Sequence, residues 1–85
     1  MSLYKKTLNK FIKKNISIST AESCTGGLLA SSITKIKDTS KIYLGGYITY
    51  SNELKIRDLG VNKTTIKKYG AVSKETALEM INGLY

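Results

Sequence analysis

The chain has 85 residues, of which 41% are hydrophobic, and this length allows one small globular domain and no more. Its net charge of +8 comes almost entirely from lysine, since Arg57 is the only arginine, and this composition disfavours sequence-specific reading of DNA bases. The chain contains no histidine, which excludes Ser-His-Asp and Cys-His catalysis and most catalytic zinc sites.

The sequence has no apolar run that could span a bilayer, and no apolar signal-peptide core follows its first residues. Its single cysteine, Cys24, cannot form an internal disulfide, so we expect a reducing, cytoplasmic setting without a membrane. The lysines cluster on predicted helix faces, which is typical of a solvated surface. We therefore expect no sequence-specific nucleic-acid partner, no metal ion and no other cofactor.

Hydrophobic periodicity divides the chain into five helical segments and two strands. An amphipathic helix comes first, and a strand and a second helix then flank the turn around Ser23. The second strand is aromatic and β-branched, and the short helices after it have asparagine and glycine at their ends. The predicted elements are helix 2–14, strand 16–20, helix 25–35, strand 43–50, two short helices that begin at Asn52 and Asn62 and end at Gly60 and Gly70, and a last helix capped by Ser73.

The predicted elements do not form a closed fold. Two strands alone are marginal in water, and a parallel pair needs cover on both faces. The sequence therefore predicts an incomplete portion of a larger α/β domain, or a chain that folds only with a partner. A compact, mostly helical mini-domain is the alternative. The pair Gly45-Gly46 in the second strand predicts a bulge or a close backbone approach.

A polar turn, Thr20-Ala21-Glu22-Ser23-Cys24-Thr25-Gly26-Gly27, joins the first strand to the second helix. Backbone N–H groups at a helix start are unpaired and favour negative charge. Ser23 beside such donors has the layout of a nucleophile next to an oxyanion hole. Its base must be a lysine, a carboxylate or a tyrosine, because histidine is absent. The structural alternative is a helix start capped by Ser23 or Thr25, with Glu22 in a hydrogen bond near the turn.

Four segments in order resemble the CinA C-terminal domain family, the competence/damage-inducible proteins that include nicotinamide-nucleotide amidases. They are Ala21-Glu22-Ser23-Cys24-Thr25-Gly26-Gly27, Gly45-Gly46-Tyr47-Ile48-Thr49-Tyr50-Ser51-Asn52-Glu53-Leu54-Lys55, Leu59-Gly60-Val61 and Gly70-Ala71-Val72-Ser73. The resemblance runs from residue 2 onward. It implies an α/β fold with three α/β/α layers and a mixed sheet, of which residues 1–85 form the N-terminal half of a single domain without an internal linker.

The resemblance implies a hydrolase that acts on the linear carboxamide of nicotinamide mononucleotide (NMN) in NAD salvage, yielding nicotinic acid mononucleotide and ammonia. It places the catalytic serine at Ser23, the lysine at Lys55 and the tyrosine at Tyr50. Lys55, as a neutral amine, accepts the serine proton, and the Tyr50 hydroxyl orients that amine or assists the transfer. The N–H groups that hold the substrate oxyanion are those of Thr25, Gly26 and Gly27.

These assignments have plainer alternatives. Lys55 is one of many lysines and would ordinarily be exposed, and Tyr50 would simply pack in the sheet. We do not expect Cys24 to be the nucleophile, because a free cysteine usually packs inward. As a whole, the chain is alternatively an inactive CinA-like fragment that pairs with another subunit or binds nucleotides or nucleic acid through its lysines.

We expect a homo-oligomer, or association with the second half of the family's domain, in addition to the small nucleotide substrate. That second half carries a glycine loop and an arginine near the substrate phosphate in the family. The chain also has Asp38-Thr39-Ser40 where the family usually has Gly-Ser-Ser, which predicts an altered loop before the second strand.

Overall fold

The computed structural model describes residues 2–85 as five α-helices, a 3-10 turn and two β-strands. In chain order these are α1 (Leu3–Lys14), β1 (Ile18–Glu22), α2 (Leu28–Thr34), the 3-10 turn (Thr39–Lys41), β2 (Tyr43–Ile48), α3 (Asn52–Leu59), α4 (Lys63–Tyr69) and α5 (Lys74–Leu84). The predicted order of elements is confirmed. β1 lies two residues later than predicted, and α2 begins three residues later because the turn occupies residues 23–27.

β1 and β2 pair in parallel and form the two-stranded sheet of the described chain. The crossover between them runs through α2 and the 3-10 turn. Glu22 pairs with Ile48, and the Thr49 N–H donates to the Glu22 carbonyl at 2.9 Å. Since the carboxyl ends of parallel strands meet at one edge of a sheet, this register sets the residues after β1 beside the residues after β2.

The glycine pair in β2 forms the predicted irregularity. The pairing with β1 skips Leu44, which makes a bulge in the strand. Gly45 has a φ of 124°, which side chains rarely tolerate, and a Cβ on Gly46 would overlap the Thr20 carbonyl. The bulge and the close backbone approach are therefore both present.

Serine side chains cap three of the helices. Ser2, Ser51 and Ser73 accept hydrogen bonds from the N–H groups of Lys5, Leu54 and Thr76. The prediction that Asn52 caps α3 is wrong, because the cap is Ser51 and Asn52 is the first helical residue. Asn62 holds the cap position of α4 without a side-chain capping bond. Instead, the Glu79 carboxylate accepts from the Asn62 N–H at 2.8 Å and from the Thr65 hydroxyl, which ties α5 to α4.

The loop before β2 is fastened by Thr39. Asp38 has a left-handed φ of 69°, at the position where the family pattern has a glycine. Thr39 is buried, and its hydroxyl donates to the carbonyls of Ile33 and Ile36 at 3.1 and 2.8 Å. These bonds hold the loop against the end of α2, so the departure from Gly-Ser-Ser is accommodated locally.

The hydrophobic core is small and lies where α3, the loop after it and α5 meet β1. Its buried centre and the side chains around it are Leu59, Val61, Met80, Ala21, Ile66 and Leu84. Leu8, Ile33 and Ile42 are buried outside this cluster, whereas many other large apolar side chains of the described chain are exposed, among them Leu28, Leu44, Tyr47, Ile48 and Ile81. The sheet and the helices therefore keep apolar surface that the chain does not cover.

The dimensions of the molecule agree with this open packing. The Cα radius of gyration is 14.2 Å, whereas a compact chain of this length has about 12 Å. The accessible surface is 6154 Å², whereas a compact monomer of this mass exposes roughly 5,000 Å². The structure is thus an incomplete α/β unit, as the sequence predicted, and the two strands that it contains are parallel.

Candidate active site

The turn after β1 is organised by the side chain of Glu22. This residue is 3% exposed, and its carboxylate reaches forward to the start of α2. Its Oε1 accepts from the Leu29 N–H and the Thr25 hydroxyl, both at 2.8 Å, and its Oε2 accepts from the Ala30 N–H at 3.0 Å. The predicted structural hydrogen bond of Glu22 is therefore confirmed. The alternative in which Ser23 or Thr25 caps the helix is wrong, since α2 has no capping side chain of its own.

Two opposing effects set the pKa of Glu22. Burial is the largest and raises the pKa, because a carboxylate loses hydration inside the protein. Hydrogen bonds from the Ala30 and Leu29 N–H groups, the Thr25 hydroxyl and the Gly27 N–H stabilise the ionised form, and together they lower the pKa below its usual range. Glu22 is consequently an anion at neutral pH and compensates the positive end of α2.

Ser23 lies directly after this carboxylate and is half-buried. Within residues 2–85 its hydroxyl makes no hydrogen bond, while its carbonyl accepts from the Gly26 N–H at 3.0 Å. Of the predicted oxyanion donors, Gly26 is thus engaged in the turn and Gly27 faces Glu22. The N–H groups of Thr25 and Cys24 make no hydrogen bond within the described chain and are the donors that remain available.

Lys55 is buried in the first half of α3, with 1% of its surface exposed. Its Nζ donates to the Tyr50 carbonyl at 3.1 Å, and it forms no ion pair with any described residue. The plainer reading of Lys55 as a surface lysine is therefore wrong. A fully buried lysine without a carboxylate partner is rare in proteins and is typical of a functional amine.

Tyr50 follows the end of β2, and its side chain is 74% exposed. The alternative of plain sheet packing is wrong for this residue. Its backbone carbonyl, rather than its hydroxyl, receives the Lys55 hydrogen bond. In the described chain Tyr50 therefore positions the amine through its main chain, and its ring is free to meet another molecule.

A cavity of about 220 Å³ lies beside the turn. It is lined by Ser23, Cys24, Ala71, Val72, Ser73, Ala77 and Met80. The structure thus brings the turn together with the Gly70–Ser73 segment, whereas Lys55 and Tyr50 do not line this cavity. Cys24 is exposed, so the expectation that it packs inward is wrong.

Sequence reasoning missed Thr49, which connects the end of β1 to the Tyr50 carbonyl that holds Lys55. This residue is 1% exposed, and its Oγ1 is the buried side-chain oxygen that lacks a hydrogen-bond partner in residues 2–85. It follows β2 directly, is paired with the end of β1 through its N–H, and precedes the carbonyl that holds Lys55. Its place at the carboxyl end of a strand was the available sequence signal.

The described residues contain no group of three or more histidine, cysteine, aspartate or glutamate side chains placed to hold a metal ion. Within the same residues, no helix has the length and apolar character needed to cross a bilayer.

Comparison with known proteins identifies the family. The model of the CinA C-terminal domain matches residues 1–85. The chain belongs to the CinA C-terminal domain family. Among curated relatives, a CinA-like protein of Kosmotoga olearia is 52% identical over 83 residues, which cover 98% of this chain and 20% of that protein.

Two solved CinA-type structures resemble the fold closely. Competence damage-inducible protein A (ComA) from Klebsiella pneumoniae matches with a TM-score of 0.87 and 36% identity. The match covers 92% of this chain and 48% of the Klebsiella chain. Competence/damage inducible protein CihA from Agrobacterium tumefaciens matches with a TM-score of 0.85 and 39% identity. The match covers 99% of this chain and 56% of the Agrobacterium chain. This chain therefore spans a fifth of the curated relative and about half of the solved CinA chains, which agrees with an incomplete α/β domain.

Proposed function

We propose that this chain carries the catalytic serine and lysine of a cytoplasmic nicotinamide-nucleotide amidohydrolase, which acts when the rest of the CinA domain is present. The observation that carries the proposal is Lys55, a buried amine without an ion-pair partner among residues 2–85. It is held at the same edge of the sheet as the turn that carries Ser23. Lysine is the suitable base here, because histidine is absent and a neutral amine accepts a proton readily.

The proposed reaction has two halves. Ser23 Oγ forms a bond to the carboxamide carbon of NMN while its proton passes to the Lys55 amine. The C–N bond then breaks, and Lys55 gives the proton to the leaving nitrogen, which departs as ammonia. Water attacks the resulting acyl-enzyme and passes a proton to Lys55. The ester bond breaks, this proton returns to Ser23 Oγ, and nicotinic acid mononucleotide leaves.

The free N–H groups of the turn support the oxyanion of each tetrahedral intermediate. Thr25 keeps its predicted role, and Cys24 supplies the second available donor through its main chain. A donor of this kind is worth about 3 kcal/mol in acyl-transfer enzymes. The net charge of +8 favours the approach of a nucleotide phosphate, and the mostly apolar cavity beside Ser23 suits an aromatic ring.

The experiment measures ammonia release from NMN by the completed domain, meaning this chain together with the segment that completes the domain in its solved relatives. Ser23→Ala should abolish ammonia release, because no acyl-enzyme can form. Cys24→Ala is the matched control, since it removes the exposed thiol next to Ser23 and keeps the main-chain N–H proposed to bind the oxyanion. Its turnover should remain close to that of the parent.

The result that overturns the mechanism is the reverse pattern, with turnover lost in Cys24→Ala and kept in Ser23→Ala. If the completed domain binds NMN and releases no ammonia, it is an inactive binding subunit instead. The 85-residue chain alone should show no turnover, because it spans about half of the solved CinA chains.

A further inference from the structure

We propose that Glu22 is a positioning residue that fixes the turn carrying Ser23, a role that rests on the function proposed above. The carboxylate precedes Ser23 by one residue, yet its hydrogen bonds reach forward to Thr25, Leu29 and Ala30. It therefore links the strand before the nucleophile to the helix after it.

Besides the Glu22 carboxylate, the turn is held by two backbone hydrogen bonds, from the Gly26 N–H to the Ser23 carbonyl and from the Leu28 N–H to the Thr25 carbonyl, both at 3.0 Å. Gly26 and Gly27 both have positive φ, at 59° and 101°, and neither contributes a side chain. α2 has only seven residues, follows Gly27 at a cap position that supplies no side-chain bond, and has no acidic residue in its first turn. Short helices are marginal by themselves, so this one depends on external bonds to its first N–H groups.

The main chain of Glu22 is held in the sheet. Its carbonyl accepts from the Thr49 N–H at 2.9 Å, and Thr49 precedes the Tyr50 carbonyl that holds the Lys55 amine. A continuous set of bonds thus runs from α2 through Glu22 to the strand end beside Lys55. The position of Ser23 relative to Lys55 depends on this link, and a misplacement of about 1 Å can cost about 100-fold in rate.

The test compares Glu22→Gln with Glu79→Gln in the completed domain. The two carboxylates do similar structural work, since each accepts from a backbone N–H and a threonine hydroxyl, but Glu79 joins α4 to α5 away from the turn. Both variants should lower the melting temperature. Only Glu22→Gln should reduce kcat for NMN, by about 100-fold, with KM nearly unchanged.

A second variant guards against loss of folding. Glu22→Asp keeps the charge and shortens its reach, so it should remain folded and still lower kcat. Retention of parental kcat in folded Glu22→Gln and Glu22→Asp would overturn the inference and leave the proposed function standing.

Failure of the proposed function gives a different pattern, in which the parent itself releases no ammonia. Amide hydrogen exchange then decides the inference. Glu22→Gln should accelerate exchange at Leu29 and Ala30 and shift the resonances of residues 23–27, while Glu79→Gln should change neither. Unaltered exchange and resonances in Glu22→Gln would overturn the positioning role.

Discussion

The burial of Lys55 serves the proposed chemistry and opposes the stability of the fold. Its ammonium would lose most of its hydration in α3 and has one hydrogen bond, to the Tyr50 carbonyl, in return. Burial of an uncompensated polar group is costly, and proteins retain such groups mainly where function requires them. The same side chain therefore carries the proposed catalysis and weakens the fold.

This conflict gives a prediction at the scale of the residue. Lys55→Met should raise the free energy of unfolding of the completed domain by about 1 kcal/mol, because an apolar chain of similar length replaces the amine. The same variant should abolish ammonia release. Lys55→Arg is the control. A guanidinium stays protonated and is larger than the amine, so this variant should lose both activity and stability. Urea denaturation read beside the NMN assay tests this, and a destabilised Lys55→Met would contradict it.

At the scale of the element, α5 packs unusually close to α3. Gly83 lies in the last turn of α5, and a Cβ added there would overlap the backbone at Leu59, the last residue of α3. Glycine is ordinarily a weak helix residue. Its presence here has a packing reason, because any larger residue would separate the two helices around the core.

Gly83→Ala should therefore destabilise the chain, although glycine to alanine in a helix normally stabilises by about 0.5–1 kcal/mol. Overpacking typically costs about 1–3 kcal/mol, so the net effect should be unfavourable. Asn82→Ala, at the exposed neighbouring position, is the matched control and should be neutral or slightly stabilising. Thermal unfolding of both variants measures the difference, and equal stabilisation of both would disprove the close contact.

At the scale of the whole molecule, part of the uncovered surface forms a groove along β1 and α5. Its volume is about 400 Å³, and its apolar lining includes Ile18, Leu44, Ile81 and Leu84. The surface in excess of a compact monomer is roughly 1,000 Å², which matches one side of a specific protein interface. We propose that the segment completing the domain in the solved CinA chains covers this groove.

The prediction at this scale concerns assembly. The isolated chain should self-associate or bind a hydrophobic dye, and the completing segment should form an equimolar complex that abolishes dye binding. Light scattering and dye fluorescence measure both outcomes. A monomer that binds no dye would contradict the proposal. A stable dimer that does not bind the completing segment would show instead that a second copy of the chain covers the groove.

Local sequence was sufficient for much of the fold. The order of helices and strands, the caps at Ser73 and Gly60, and the bulge at Gly45-Gly46 follow from periodicity, hydroxyl capping and glycine geometry. These features depend on neighbours within a few residues, so they can be predicted without knowledge of the tertiary contacts. The low strand count likewise indicated an incomplete sheet, because two strands cannot bury both of their faces.

The sequence by itself determined which chemical groups are present: a serine on a glycine-rich turn, no histidine, and lysine as the abundant amine. Only the tertiary structure decided that Lys55 is buried, that Cys24 and Tyr50 are exposed, and that the Glu22 carboxylate accepts hydrogen bonds from the start of α2. The physical reason is that burial and hydrogen-bond partners arise from residues distant in sequence. The parallel register of β1 and β2 places the ends of both strands at one edge, and no local pattern specifies that juxtaposition.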